Sequence, residues 1–97
     1  DGHTLSLFPG QEIIHEKKKW VTTLYVPAQQ MYRLTLTPFP VNQAARIAFL
    51  VTGQEKARTL KKVLYGGYDP DSFPSQIIKP QHGELHWFVD EDAANLL

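Results

Sequence analysis

Residues 47–51, Ile47-Ala48-Phe49-Leu50-Val51, form an unbroken apolar run that ends at Thr52-Gly53 and gives way to a helical pattern. No other stretch constrains the fold as much. A short run without polar alternation is what a central parallel strand, covered on both faces, looks like. After the Gly turn, Ala57, Leu60, Val63 and Leu64 recur at helical spacing. Arg58, Lys61 and Lys62 fall on the opposite side of the same helix, and Gly66-Gly67 provides its stop. Buried strand, Gly turn and amphipathic helix in that order predict an α/β layer fold. The expectation is a mainly parallel sheet with flanking helices.

The rest of the chain fits around this unit. Trp20 to Val26 is rich in β-branched and aromatic residues and reads as a strand that Pro27 ends. Met31 to Thr37 alternates with period two, placing Tyr32, Leu34 and Leu36 on one face and Arg33, Thr35 and Thr37 on the other. Pro38 and Pro40 stop it, and Pro40 suits the start of a short helix carrying Val41, Ala44 and Ala45. Tyr68 to Ser75 is a loop, Ser75 to Ile78 a turn of helix, Leu85 to Asp90 a last strand and Glu91 to Leu97 a last helix. Residues 1–97 show no repeat and no interdomain linker, so they read as part of one domain. A sheet made from these residues alone would struggle to cover an apolar strand on both faces. The chain also opens inside a loop motif. Both features predict that it is the C-terminal portion of a longer α/β domain.

Charge narrows the function. Ten basic residues balance ten acidic ones, so no global field steers nucleic acid or an anionic membrane, and neither is an expected partner. The chain has no Cys, which excludes disulfides and thiolate metal sites and fits a cytoplasmic protein. No apolar run approaches the ~20 residues of a membrane-spanning helix.

Chemistry-bearing residues cluster in two places. Asp1-Gly2-His3 brings a carboxylate, an imidazole and flexible backbone together in a loop. His3 is the candidate for acid–base work, because an imidazole takes and returns a proton near neutral pH. Asp1 is positioned to orient it or to bind substrate hydroxyls. The second place is the turn at Gly53, at the carboxyl end of a strand, where open α/β sheets bind ligands. The helix after it offers unpaired N–H groups and the positive end of its dipole. Lys56, in the first turn, runs against the dipole preference. It is either a partner for a bound anion or a plain surface lysine, and these residues leave both open. Arg33 is either a bidentate phosphate contact or a solvent-facing arginine. His82 and His86 straddle Gly83 with no helical spacing, and no metal site is expected from the four His. Ser6 lacks the Gly-x-Ser-x-Gly elbow of a serine hydrolase.

Three segments together resemble the 6-phosphogluconolactonases of the glucosamine-6-phosphate isomerase superfamily. Asp1 to Gly10, Asp-Gly-His-Thr-Leu-Ser-Leu-Phe-Pro-Gly, is similar to the family's active-site loop. Arg33 to Thr37, Ala44 to Leu50 and Val51-Thr-Gly-Gln-Glu-Lys56-Ala are similar to its strand–helix–strand–phosphate turn. His86-Trp-Phe-Val-Asp90, followed by Ala93-Ala94, is similar to its closing strand and helix. The resemblance implies a Rossmann-like fold and hydrolysis of 6-phospho-D-glucono-1,5-lactone without cofactor or metal. In that reading His3 is the base, with Asp1 beside it, and Lys56, Gly53 and Arg33 hold the phosphate. It also implies that a preceding part of the enzyme supplies the first strands and another phosphate-contacting loop. Two alternatives stand beside it: a glucosamine-6-phosphate deaminase or isomerase, and a non-catalytic sugar-phosphate binding module. The deaminases continue from Asp-Gly-His to an Asn-Glu-Pro with a catalytic acid. Here Leu7-Phe8-Pro9 stands in that place, which favours the lactonase.

Overall fold

The computed structural model describes residues 1–97. After an opening loop come β1 (Val21–Val26), β2 (Met31–Leu36), α1 (Pro38–Val41), β3 (Arg46–Val51), α2 (Ala57–Tyr65) and β4 (Glu84–Val89). Short 3₁₀ turns lie at Glu12–His15, Pro27–Gln29, Gln54–Lys56 and Pro74–Ile77. The four strands form two separate pairs, β1–β2 antiparallel and β3–β4 parallel. The mainly parallel sheet predicted from the sequence is therefore not what this chain forms. The difference arises at Pro27–Gln30. There the 3₁₀ turn ends in a left-handed Gln30 (φ 51, ψ 42), and Val26 comes to pair with Met31. A reversal this tight joins antiparallel neighbours, whereas parallel ones need a long crossover. That crossover exists between β3 and β4, where α2 and the loop after it intervene.

The hairpin buries its less apolar face. Paired residues share a face, so Thr22 and Thr35, Leu24 and Arg33, and Val26 and Met31 lie on one side. Val21 and Leu36, Thr23 and Leu34, and Tyr25 and Tyr32 lie on the other. Leu24, Val26 and Thr35 are buried, whereas Tyr32 is 76% exposed and Leu34 70%. The threonines tolerate burial because their hydroxyls are bonded. Thr35 Oγ1 donates to the Leu36 carbonyl at 2.9 Å, and Thr37 Oγ1 to the Lys19 carbonyl at 2.5 Å. No buried side-chain polar atom in the chain lacks a partner.

The core joins Leu24 and Val26 to Leu7, Ile13, Ile14 and Ile78. Ile13 and Ile14, the apolar pair in an otherwise polar stretch, are thus the inward side of the first 3₁₀ turn. In the β3–β4 pair, Ile47, Phe49 and Val51 are half-buried and stand opposite Leu85, Trp87 and Val89. The other face is bare: Leu50 is 78% exposed and Phe88 61%. The double-sided burial predicted for residues 47–51 is not met within these residues.

Two helix expectations also change. Thr37 caps α1, accepting from the Phe39 N–H at 3.3 Å, so the helix starts at Pro38 and ends at Val41, before Ala44 and Ala45. Residues 91–97 form turns rather than a helix. Asp90 caps this segment, accepting from the Ala93 N–H at 2.8 Å, and Ala93 is fully buried. Its backbone bonds close separate turns, from the Ala94 N–H to the Asp90 carbonyl, Asn95 to Asp92 and Leu97 to Ala94, and do not run on as a helical ladder. α2 follows its predicted pattern, with Ala57 and Leu60 buried and Arg58, Lys61 and Lys62 exposed.

Candidate active site

The opening loop is held from both sides. Gly2 adopts φ +76, where L side chains are strained, and a Cβ there would lie 3.2–3.4 Å from Phe73. Its carbonyl accepts from the Ser75 N–H at 2.9 Å. The loop closes on itself where the Leu7 N–H donates to the Thr4 carbonyl at 2.9 Å, and Leu7 is fully buried. Between these points the Ser6 N–H donates to Thr35 Oγ1 at 3.1 Å. At the far end the Gly10 N–H donates to the Asp71 carbonyl at 2.9 Å.

This frame presents His3 in a defined state. Asp1 Oδ1 accepts from the His3 backbone N–H at 3.1 Å and lies 2.7 Å from His3 Nδ1. A carboxylate has no proton to offer, so the bond requires the proton on Nδ1. The lone pair is then left on Nε2. The ring stacks on Phe8 with centroids 4.5 Å apart and planes at 24°. Its pKa is lowered below the ordinary 6.5 by partial burial first, with Lys56 acting in the same direction. A neutral imidazole with a free Nε2 is able to accept a proton at neutral pH.

Beside the loop lies a cleft of about 350 Å³. Asp1, Gly2, His3 and Thr4 bound it on the loop side. Phe49 to Thr52 bound it from the end of β3, Glu55, Lys56, Thr59, Leu60 and Val63 from the following turn and α2, and Ser75 and Trp87 complete it. Phe49 and Trp87 stack at 4.2 Å and 13°, giving one wall a flat apolar surface. The cleft sits at the carboxyl end of β3, where a ligand was expected.

The predicted site residues divide. Asp1, His3 and Lys56 share the cleft. Arg33 does not: it lies on β2, and its Nε and Nη2 donate to Gln29 Oε1 at 2.8 and 2.5 Å. Gly53 shapes the turn (φ +97), but its N–H is already taken by both oxygens of Asp90 at 3.2 Å. Sequence reading misses Glu55, Thr59, Ser75 and Trp87, which also bound the cleft, and Thr35 and Asp90, which hold the neighbouring loops. Their roles depend on contacts across long sequence separations, and an aromatic such as Trp87 reads from sequence as plain core. Glu55 alone carried a local signal, as the neighbour of Lys56 after a Gly turn.

Residues 1–87 match the family model described as glucosamine-6-phosphate isomerases/6-phosphogluconolactonase. The chain belongs to this family. It is 40% identical over 98 residues to the 6-phosphogluconolactonase of Rattus norvegicus, covering 100% of this chain and 37% of that protein. It is 39% identical to that of Homo sapiens, of which it covers 38%. Among solved structures, the devB protein superposes with a TM-score of 0.85 at 30% identity, covering 98% of this chain and 40% of that one. The 6-phosphogluconolactonase of Trypanosoma brucei superposes at 0.83 and 26%, covering 100% and 38%. The chain thus spans well under half the length of these glucosamine-6-phosphate isomerase/6-phosphogluconolactonase relatives. Its C-terminal placement, predicted from the opening loop, is not supported by these shares.

Proposed function

We propose that this chain supplies the general base and a phosphate contact of an enzyme that hydrolyses 6-phospho-D-glucono-1,5-lactone to 6-phosphogluconate. The carrying observation is the Asp1–His3 pair, with Nε2 free, in one cleft with Lys56. The family and the relatives named 6-phosphogluconolactonase support the choice of substrate.

In the proposed reaction His3 Nε2 takes a proton from water as the water oxygen attacks the lactone carbonyl carbon. A tetrahedral oxyanion forms. It collapses with cleavage of the bond between that carbon and the ring oxygen, and Nε2 returns its proton to the departing oxygen. The acid and the freed hydroxyl are the two halves of the product. Asp1 holds the imidazole in the tautomer that can accept and steadies the imidazolium between the two transfers. Lys56 holds the 6-phosphate and so fixes the distance from phosphate to carbonyl, which is a positioning role. The remainder of the enzyme closes the site, and a cytoplasmic location belongs to the same reading. Phe8 against the imidazole and buried Leu7 occupy the place where a deaminase would carry its acid, so lactone hydrolysis is favoured over ammonia release.

The test uses the full-length enzyme that contains this segment. Lactone hydrolysis above the spontaneous rate, without ammonia release from glucosamine-6-phosphate, is expected. Ammonia release, or phosphosugar binding with no turnover of the lactone, would reject the reading.

A further inference from the structure

Glu55 is an acidic side chain in a cleft proposed to receive a dianion. It bounds the same cleft as Lys56. Its carboxylate oxygens lie over Gly53, at 2.6 and 2.7 Å from where a Cβ on that residue would stand. The chain's ion pairs are His3–Asp1, His15–Asp71, Arg46–Glu84 and His86–Glu84. Glu55 is in none of them, although Lys56 is the next residue. The carboxylate therefore has no ionic partner to hold it, and it is exposed. On the other side of the turn, both oxygens of Asp90 accept from the Gly53 N–H. A phosphate approaching Lys56 in this cleft meets the Glu55 carboxylate, which no ion pair holds in place.

The geometry points to Glu55 as a specificity-determining residue that opposes phosphate at the Lys56 position until it swings away from Gly53. The inference rests on the proposed phosphate role of Lys56 and adds a counter-charge that sets how tightly the phosphate is held. Two negative groups in one cleft repel, and the repulsion weakens with salt. The expected consequence is a site tuned for release: the negative charge raises the KM for a phosphorylated substrate and leaves an unphosphorylated one comparatively indifferent.

The experiment compares Glu55→Gln, Glu55→Ala and Lys56→Ala in the full-length enzyme. Two quantities are read: inhibition by inorganic phosphate, and the ratio of KM for 6-phosphogluconolactone to KM for gluconolactone. Both Glu55 variants should lower the phosphate inhibition constant and the KM ratio about three- to tenfold, as expected for removing a partly screened like charge, with the gain shrinking at high salt. Unchanged values for Glu55→Gln would overturn the inference. So would a gain confined to Glu55→Ala, which would show bulk rather than charge. A rise in KM for both lactones would also overturn it, because Glu55 would then be holding the sugar. Lys56→Ala reports separately on the underlying reading. If it leaves the phosphorylated KM unchanged, the phosphate lies elsewhere. If it raises that KM while Glu55→Gln does nothing, the role of Lys56 stands and the role assigned to Glu55 falls.

Discussion

His3 is defined by what touches it. Asp1 fixes the tautomer, Phe8 fixes the ring plane, and partial burial favours the neutral form. In the full-length enzyme, His3→Asn should reduce kcat by roughly 10²–10⁴-fold, the usual worth of a general base, with KM little changed. A near-normal kcat would remove His3 from the mechanism. The pH profile follows by sign. Protonation at Nε2 abolishes the base, and the folded-state pKa lies below 6.5, so the acid limb of kcat/KM should fall below pH 6.5. Burial and Lys56 act on His3 whatever precedes Asp1. Asp1→Asn should move that limb further to the acid side and lower kcat, because the carboxylate that favours the imidazolium is gone. A limb above pH 6.5 in the unaltered enzyme would contradict the environment described. Lys56→Ala should raise KM for the phosphorylated lactone about ten- to a hundredfold, the loss of one charge-assisted contact of roughly 1.5–3 kcal/mol. At this scale three residues of the candidate cleft were legible. Asp1, His3 and Lys56 carry their chemistry in their type and sit in loops whose neighbours announce them. Arg33 was not legible, because nothing in residues 29–33 reveals that Gln29 takes its guanidinium.

Elements position these residues through a few side-chain bonds. Thr35, in the middle of β2, accepts from the Ser6 N–H and donates to the Leu36 carbonyl. Thr35→Val keeps the shape and removes both bonds. It should destabilise by about 1–3 kcal/mol, since it leaves the Ser6 N–H unpartnered. Because Ser6 lies in the loop that carries His3, kcat should fall as well. Thermal melts and steady-state kinetics on the same protein would check this, and loss of stability with fully retained kcat would show that the loop does not need this tether. The strands and α2 were readable from periodicity, since alternation and helical spacing are local. Which face of β2 turns inward was not. Period two gives two faces, and the more apolar one, with Tyr32 and Leu34, is the exposed one. The hydroxyls of Thr35 and Thr37 find partners that lie far along the chain or at strand ends. The final segment misled for the opposite reason. Its composition suits a helix, but its backbone bonds close separate turns.

Taken whole, the molecule exposes two apolar surfaces, the outer face of the hairpin and that of β3–β4. Patches of this kind mark contacts with other protein. The 97-residue chain alone is expected to bind a hydrophobic dye and to self-associate. Leu50→Glu with Phe88→Lys should reduce both effects in the isolated chain, and should lower the stability of the full-length enzyme if the rest of that enzyme covers this face. A full-length enzyme indifferent to the pair would place the face in solvent. The fold class was legible at this scale, but the two-sheet arrangement was not, because a strand's partner is chosen by turns and crossovers rather than by its own residues. The tethers of the opening loop have a further consequence, for synthesis. Gly2 and Gly10 are bonded to Ser75 and Asp71, residues that leave the ribosome much later. At roughly 5–20 residues per second, the histidine emerges about 3–15 s before its last tether exists. During translation the proposed base is therefore made early and assembled late, and a nascent chain stalled before Asp71 carries every reactive side chain of the loop without the geometry that brings them together.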